Sequence, residues 1–396
     1  MKYRIILSFI LIAFSISKAP AQIKSGYIIT GQIKGLKEGE KVRLLFRNEF
    51  PIWGWSHELI DSCRVKNGEF NLHGFILDAP RLVTLEFMGH HKEIQQPFPD
   101  FLMGNEKVYI HGTINSNLLL SQSITIEGSQ SNDEQKRLQP FFDIWRYGLC
   151  EKVYNNLQEI KDSVGYNKDI IQGIEDTKNA LIAQIKGSLF RSTSNQAAVP
   201  FFFIDCFDQI GHDSIVPVLY NKLDDQIKNS YYGKLINSRL YLCNGQPAPD
   251  FMSTQPDGTT ISLKNIISNN KLTLVDFWGS GCGPCRKEFK TNTVALYNEF
   301  HNKGLEILGV SYDTNEKSWK KAIAEDHLPW LNVSTLKGCE SDPALSLYKI
   351  LHAPQNVLID QMGKIIAWNV FGLELHWYLD KYFNQNAEKS SVSISK

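Results

Sequence analysis

Residues 272–288 read LTLVDFWGSGCGPCRKE. Leu272 to Trp278 is an apolar run of strand length, broken only by Thr273 and Asp276, as a buried strand requires. Cys282-Gly283-Pro284-Cys285 follows and opens a helix from Pro284 to Asn302, with Phe289, Thr293, Leu296 and Phe300 on one face. Pro284 suits the first helical turn, where a missing N–H is no loss. Two cysteines three apart at a helix start can close a disulfide, with the first sulfur at the positive helix end. Backbone N–H groups there stabilise its thiolate, the attacking species in thiol–disulfide exchange.

Other uses of the pair want different neighbours. A zinc site needs a second such pair or histidines at ligand spacing. A c-type haem site needs histidine directly after Cys285, where Arg286 stands. A purely structural disulfide is the third alternative. Two further features favour redox chemistry. Asp276 lies inside the apolar strand, where burial raises a carboxyl pKa and suits it to exchange a proton with the second thiol; the bland alternative is an edge aspartate facing water. Ala353-Pro354 precedes the strand Asn356 to Asp360, and a cis bond there would bring backbone near the two sulfurs.

Around this stretch, residues 245–396 alternate strand and helix. Strands are expected at Leu305 to Tyr312, Asn356 to Asp360 and Lys364 to Trp368, and helices at Asn315 to Glu325 and Glu374 to Phe383. That is an α/β pattern with a mixed sheet flanked by helices. Pro247 and Pro249 mark its N-terminal boundary. Residues 130–243 have helical period, with Phe142, Trp145, Leu149, Val153, Leu157 and Ile160 on one face and similar patterns over 170–187 and 214–242. The apolar Val199 to Ile204 reads as a buried helix start. Residues 26–128 alternate apolar and polar in short runs punctuated by glycine, which predicts a small antiparallel sandwich or barrel. Residues 1–21 carry Lys2 and Arg4, an apolar run from Ile5 to Ile16 and Ala19-Pro20-Ala21, a secretory signal peptide too short to span a bilayer. No cysteine near the cleavage site suggests a lipoprotein anchor.

The 396 residues hold 42 basic and 42 acidic side chains, a balance that excludes a strongly basic nucleic-acid binder. Apolar residues make up 42 %, enough for a large core, and seven cysteines are too few for a disulfide scaffold. Cys63 reads as a buried thiol, two of Cys150, Cys206 and Cys243 could pair, and Cys339 reads as an incidental loop thiol, with an extra relay thiol as the alternative. The isolated His90-His91 pair is not a metal site.

The segments LVDFWGSGCGPCRKE, ILGVSYDTNEKSWKKAI and YKILHAPQNVLIDQMGKII resemble the exported TlpA/ResA-type thiol–disulfide oxidoreductases, a thioredoxin-like group overlapping the alkyl hydroperoxide reductase/thiol-specific antioxidant superfamily. The likeness covers about residues 245–385. Residues 26–128 resemble a β-rich domain of unknown function often found ahead of such domains, through TGQIKGL, DSCRVKNGEFNLHG and ITIEGS. The resemblance implies Cys282 as attacking thiol, Cys285 as resolving thiol, Asp276 as buried acid, Glu288 as the active-site-helix glutamate and Pro354 as cis-proline. It further implies that Trp278, Gly281, Gly283, Pro284 and Ala353 meet the substrate, with Ala353 offering its backbone to an extended segment. Gly281 stands where the family usually has tryptophan, Lys290 where it often has proline, and Ala353 where threonine or valine is usual.

The implied activity is disulfide exchange with exported proteins in the periplasm or cell envelope, with no cofactor beyond the Cys282–Cys285 disulfide. Gly-Pro is the thioredoxin pair, at the reducing end near about −270 mV, so a reductase is expected, fed by a membrane thiol carrier. Thiol peroxidase is the runner-up, yet Gly279 and Val275 replace the threonine or serine and the proline that cradle peroxide. A binding protein with a secondary redox pair is the third class. No nucleic acid and no stable membrane anchor are expected.

Overall fold

The computed structural model describes residues 26–48, 56–89, 100–114, 123–143, 166–174, 176, 180, 198–205, 212, 214–350 and 352–393. Residues 1–21, His90, His91, Cys150, Cys206 and the face from Trp145 to Ile160 lie outside them.

The N-terminal part is a two-sheet β-sandwich. Strands β1 (Tyr27–Lys34), β4 (Glu69–Gly74), β7 (Lys107–Thr113) and β8 (Ile124–Glu127) form one sheet in the order β4-β1-β7-β8. Strands β2 (Lys41–Asn48), β3 (Ser56–Arg64), β5 (Arg81–Phe87) and β6 (Asp100–Met103) form the other, ordered β3-β2-β5-β6. Alternation along β1 sends Tyr27, Ile29 and Ile33 inward against Val42, Leu44, Leu85 and Phe87 of the facing sheet. Asn67 and Gly68, both at positive φ, make the tight turn between β3 and β4. One expectation is corrected: β1 and β7 pair parallel, not antiparallel. The chain between them passes through the other sheet, which gives the long crossover that a parallel pair needs.

Short helices follow. α1 (Gln130–Asp143) and α2 (Ala198–Asp205) are joined by α3 (Val216–Lys222), α4 (Asp225–Lys228) and α5 (Tyr231–Asn237). Ala198, Val199, Phe201 and Tyr232 are buried in one cluster that reaches Leu82 and Leu102 of the sandwich. Tyr232 Oη accepts the Leu82 N–H at 3.1 Å, deep in that junction. Tyr232→Phe leaves the donor stranded, and urea unfolding is expected to show a loss of about 1–3 kcal/mol; an unchanged midpoint would remove this bond from the account.

The C-terminal part is built on the sheet β13-β12-β11-β14-β15. Its strands are β11 (Leu272–Trp278), β12 (Leu305–Ser311), β13 (Leu331–Ser334), β14 (Gln355–Asp360) and β15 (Ile365–Trp368), after a small hairpin of β9 (Met252–Thr254) and β10 (Thr260–Ser262). Central β11 pairs parallel with β12 and antiparallel with β14, and all seven of its residues are buried. α6 (Leu263–Asn269) precedes β11, and α7 (Gly283–Glu288) follows it. α7 runs through a π-turn (Phe289–Thr293) into α8 (Val294–Phe300). α9 (Glu316–Glu325), α10 (Pro343–Leu347) and α11 (Gly372–Ser393) complete the layers, α11 extending past the expected Phe383. Alternate residues of β11 serve two cores: Leu272, Leu274 and Trp278 pack with α7 and α8, while Val275 and Phe277 face α6 and α10. The proline-containing boundary is not loose, since Gly245 and Ala248 N–H groups donate to Ile365 and Gly363.

Candidate active site

The turn after β11 is fixed from beside it. Asp313 accepts the Ser280 N–H at 2.8 Å and the Ser280 hydroxyl at 2.5 Å, and the Ser311 hydroxyl at 2.7 Å. Gly279 lies against the Tyr312 ring so closely that a Cβ would come within 2.4 Å of it, so a side chain there would have to displace the ring. This delivers Cys282 to the N-cap of α7, where its Sγ accepts the Cys285 N–H at 3.2 Å. Cys282 and Cys285 form a disulfide with a Cα separation of 5.3 Å. The two sulfurs differ in access, with Cys282 7 % exposed and Cys285 fully buried. Arg286 is not the counter-charge of the first sulfur. Its guanidinium is held bidentately by buried Asp326 at 2.6 and 2.8 Å, and Glu325 takes a third bond at 3.0 Å.

Asp276 shares the face of β11 that carries Leu274 and Trp278, the face covered by α7. It is 1 % exposed, and its carboxyl is pushed up to about 8, first by burial and then by the charge of Glu288. The Asn356 amide across the register opposes that rise. Glu288 is itself pinned: its carboxylate accepts from Asn292 Nδ2 at 2.7 Å and from the Gly372 N–H at 2.8 Å. Asn292 stands four residues on, within ordinary helical reach, in the π-turn stretch where Lys290 replaces a proline. Lys290 ion-pairs with Asp326 at 2.8 Å.

A groove of about 210 Å³ opens over Cys282. Gly281, Gly283, Pro284, Tyr312, Ala353 and half-buried Cys339 are among the residues that line it. Nothing lies within 4 Å of a Cβ placed on Gly281, so the missing side chain leaves open space beside the sulfur. The Ala353–Pro354 peptide is cis. Trp278 is a correction. Expected to meet the substrate, it is fully buried, edge-on to Phe289 at 5.5 Å, because it shares the helix-covered face of β11 with Asp276. Sequence reasoning also missed Tyr312, Asn292, Asn356 and Asp313, which no local motif marks. A larger hollow of about 460 Å³ beside Lys271 and His301 lies at the opposite end of β11 and holds no thiol. Among the described residues, no cluster of histidine, cysteine or acids could hold a metal. Cys63, in β3, is partly buried, and burial pushes its thiol up. Cys243 is buried in the helical cluster.

A mixed sheet with a Cys-x-x-Cys disulfide at the start of the helix after its central strand defines a thioredoxin-like redox enzyme. The AhpC/TSA family model matches residues 244–368, and a Domain of unknown function (DUF4369) matches residues 27–135. The thiol-disulfide oxidoreductase ResA of Bacillus thuringiensis subsp. konkukian is 30 % identical over 36 % of this chain and 77 % of its own length. ResA of Bacillus subtilis is 25 % identical over 34 % of this chain and 72 % of its own. A solved thioredoxin domain of a thiol-disulfide oxidoreductase from Bacteroides vulgatus is 37 % identical over 36 % of this chain and 99 % of that one, with a TM-score of 0.33. The chain belongs to the ResA/TlpA-type thiol–disulfide oxidoreductases, with a DUF4369 domain ahead of its redox domain.

Proposed function

We propose that the protein reduces disulfides of exported proteins through Cys282 and Cys285. One observation carries this: of two sulfurs three residues apart, one faces a groove at a helix N-terminus and the other is sealed behind it. In the reduced enzyme the Cys282 thiolate is stabilised by the helix end and the Cys285 N–H. It attacks one sulfur of a client disulfide, forming a mixed disulfide and expelling a client thiolate. Cys285 then gives its proton to the Asp276 carboxylate and attacks the Cys282 sulfur, which restores the internal disulfide and releases the second client thiolate. Asp276 and Cys285 thus share one proton in a dry site, with Glu288 setting how readily the acid gives it up.

The groove suits an extended client segment, which can bond to the backbone of Ala353 without regard to its side chains. Gly281 widens the approach. A dithiol donor must re-reduce the pair, and a membrane thiol carrier would supply it across the envelope. Export rests on residues 1–21; no described helix is long and apolar enough to cross a membrane.

The test is a Cys285→Ser variant mixed with exported proteins. It is expected to accumulate covalent adducts through Cys282 that dithiothreitol releases, while the wild type reduces insulin and consumes peroxide only at background. Peroxide turnover matching insulin turnover, with no adducts, would replace the reductase by a peroxidase.

A further inference from the structure

Asn356 stands directly across from Asp276 in the antiparallel β11–β14 register and is 1 % exposed. The backbone of Val370 grips its side-chain amide from the far side. Asn356 Oδ1 accepts the Val370 N–H at 2.9 Å, and Nδ2 donates to the Val370 carbonyl at 2.8 Å. A flipped amide would set donor against donor and acceptor against acceptor, so these two bonds fix its orientation. Nδ2 carries a second hydrogen beside the Asp276 carboxyl across the register, a donor that favours the ionised acid. Oδ1 of that carboxyl is buried with no partner. An orphaned buried oxygen is rare enough to need a reason.

The same short segment steadies both acids. Asn369 N–H donates to the Asn356 carbonyl at 2.9 Å, Val370 holds the Asn356 amide, and the Gly372 N–H holds Glu288. The charged group acting on Asp276 is Glu288 from α7, joined on reduction by the Cys285 thiol of that helix. Gly309, across from Asp276 on β12, carries no side chain, and Asn356 on β14 is neutral.

We propose that Asn356 is a positioning residue: anchored by Val370, it turns one N–H toward the Asp276 carboxyl, whose unpartnered Oδ1 stays open to the exchanging proton. This rests on the proton-exchange role given to Asp276 above. Without Asn356 the ionised acid loses a neighbouring donor.

The experiment follows the Asp276 carboxyl by carbon NMR in the oxidised full chain, and the pH profile of insulin reduction beside it. Asn356→Leu is expected to raise the Asp276 midpoint by about one to two pH units, the scale of a lost bond to a charged group. Asn356→Thr, whose hydroxyl has one hydrogen to give, should move it the same way by less and covers the case of a poorly folding leucine variant. The limb of the profile that Asp276→Asn removes should move with the midpoint, and Asn356→Leu should add nothing in the Asp276→Asn background. If Asp276→Asn removes the limb but both Asn356 variants leave the midpoint in place, this inference alone falls. An Asp276→Asn profile matching wild type would defeat the proton-exchange role and the inference with it.

Discussion

Cys282→Ser is expected to lower disulfide reduction by at least about a thousandfold, the scale of deleting a nucleophile that acts as part of a unit. A hydroxyl at this position is not ionised at neutral pH and cannot form the S–S bond on which every later step depends. Cys285→Ser is different in kind. It keeps the first attack and loses the second, so it runs one half-reaction and stops as an adduct. The asymmetry follows from burial, since Cys285 has no exposed surface and Cys282 opens on the groove. Alkylation of the reduced enzyme should therefore label Cys282 first, and faster than glutathione at pH 6–7, because the helix end and the Cys285 N–H favour its thiolate. Wild-type-like turnover by Cys282→Ser, or Cys285 labelled ahead of Cys282, would show the roles to be reversed or absent.

What could be read in the sequence was what is local to it. The strand–turn–helix around Cys282, the buried acid within the strand and the proline before β14 all declare themselves within a few residues of chain. Asn356 does not, because its partnership with Asp276 exists only through the β11–β14 register, 80 residues apart in number. Tyr312 and Asp313 shape the turn from the end of a neighbouring strand, and no spacing rule connects them to Cys282. Trp278 departs from expectation for a related reason: two positions from Asp276, it shares that side chain's face, and α7 covers both. The parallel β1–β7 pair was equally hidden, since alternation reveals which face a residue takes and says nothing of a partner strand's direction. The four-residue edge strand β13 is too short to give a period at all.

The second large effect concerns stability. Asp276 titrates near 8 in the folded protein against about 3.9 in an unfolded chain. Between those values the unfolded chain has released its proton while the native acid keeps it. The native state therefore binds more protons, and stability falls as pH rises. The stability linked to this group is fully present below about pH 4 and fully lost above about pH 8. With the gap taken at face value the fall is on the order of 5 kcal/mol, an upper bound because a strained native site can admit water. Asp276→Asn keeps the shape and the neutral charge of the protonated acid and has nothing to ionise. Its oxidised form should match the wild type in guanidinium unfolding near pH 4 and exceed it by several kcal/mol at pH 9. Glu288→Gln should recover part of that difference, since the Glu288 charge is the second cause of the raised value. Parallel stability curves for wild type and Asp276→Asn from pH 4 to pH 9 would mean that Asp276 ionises as freely when folded as when unfolded. The buried acid would then be unable to hold the proton that Cys285 must give up.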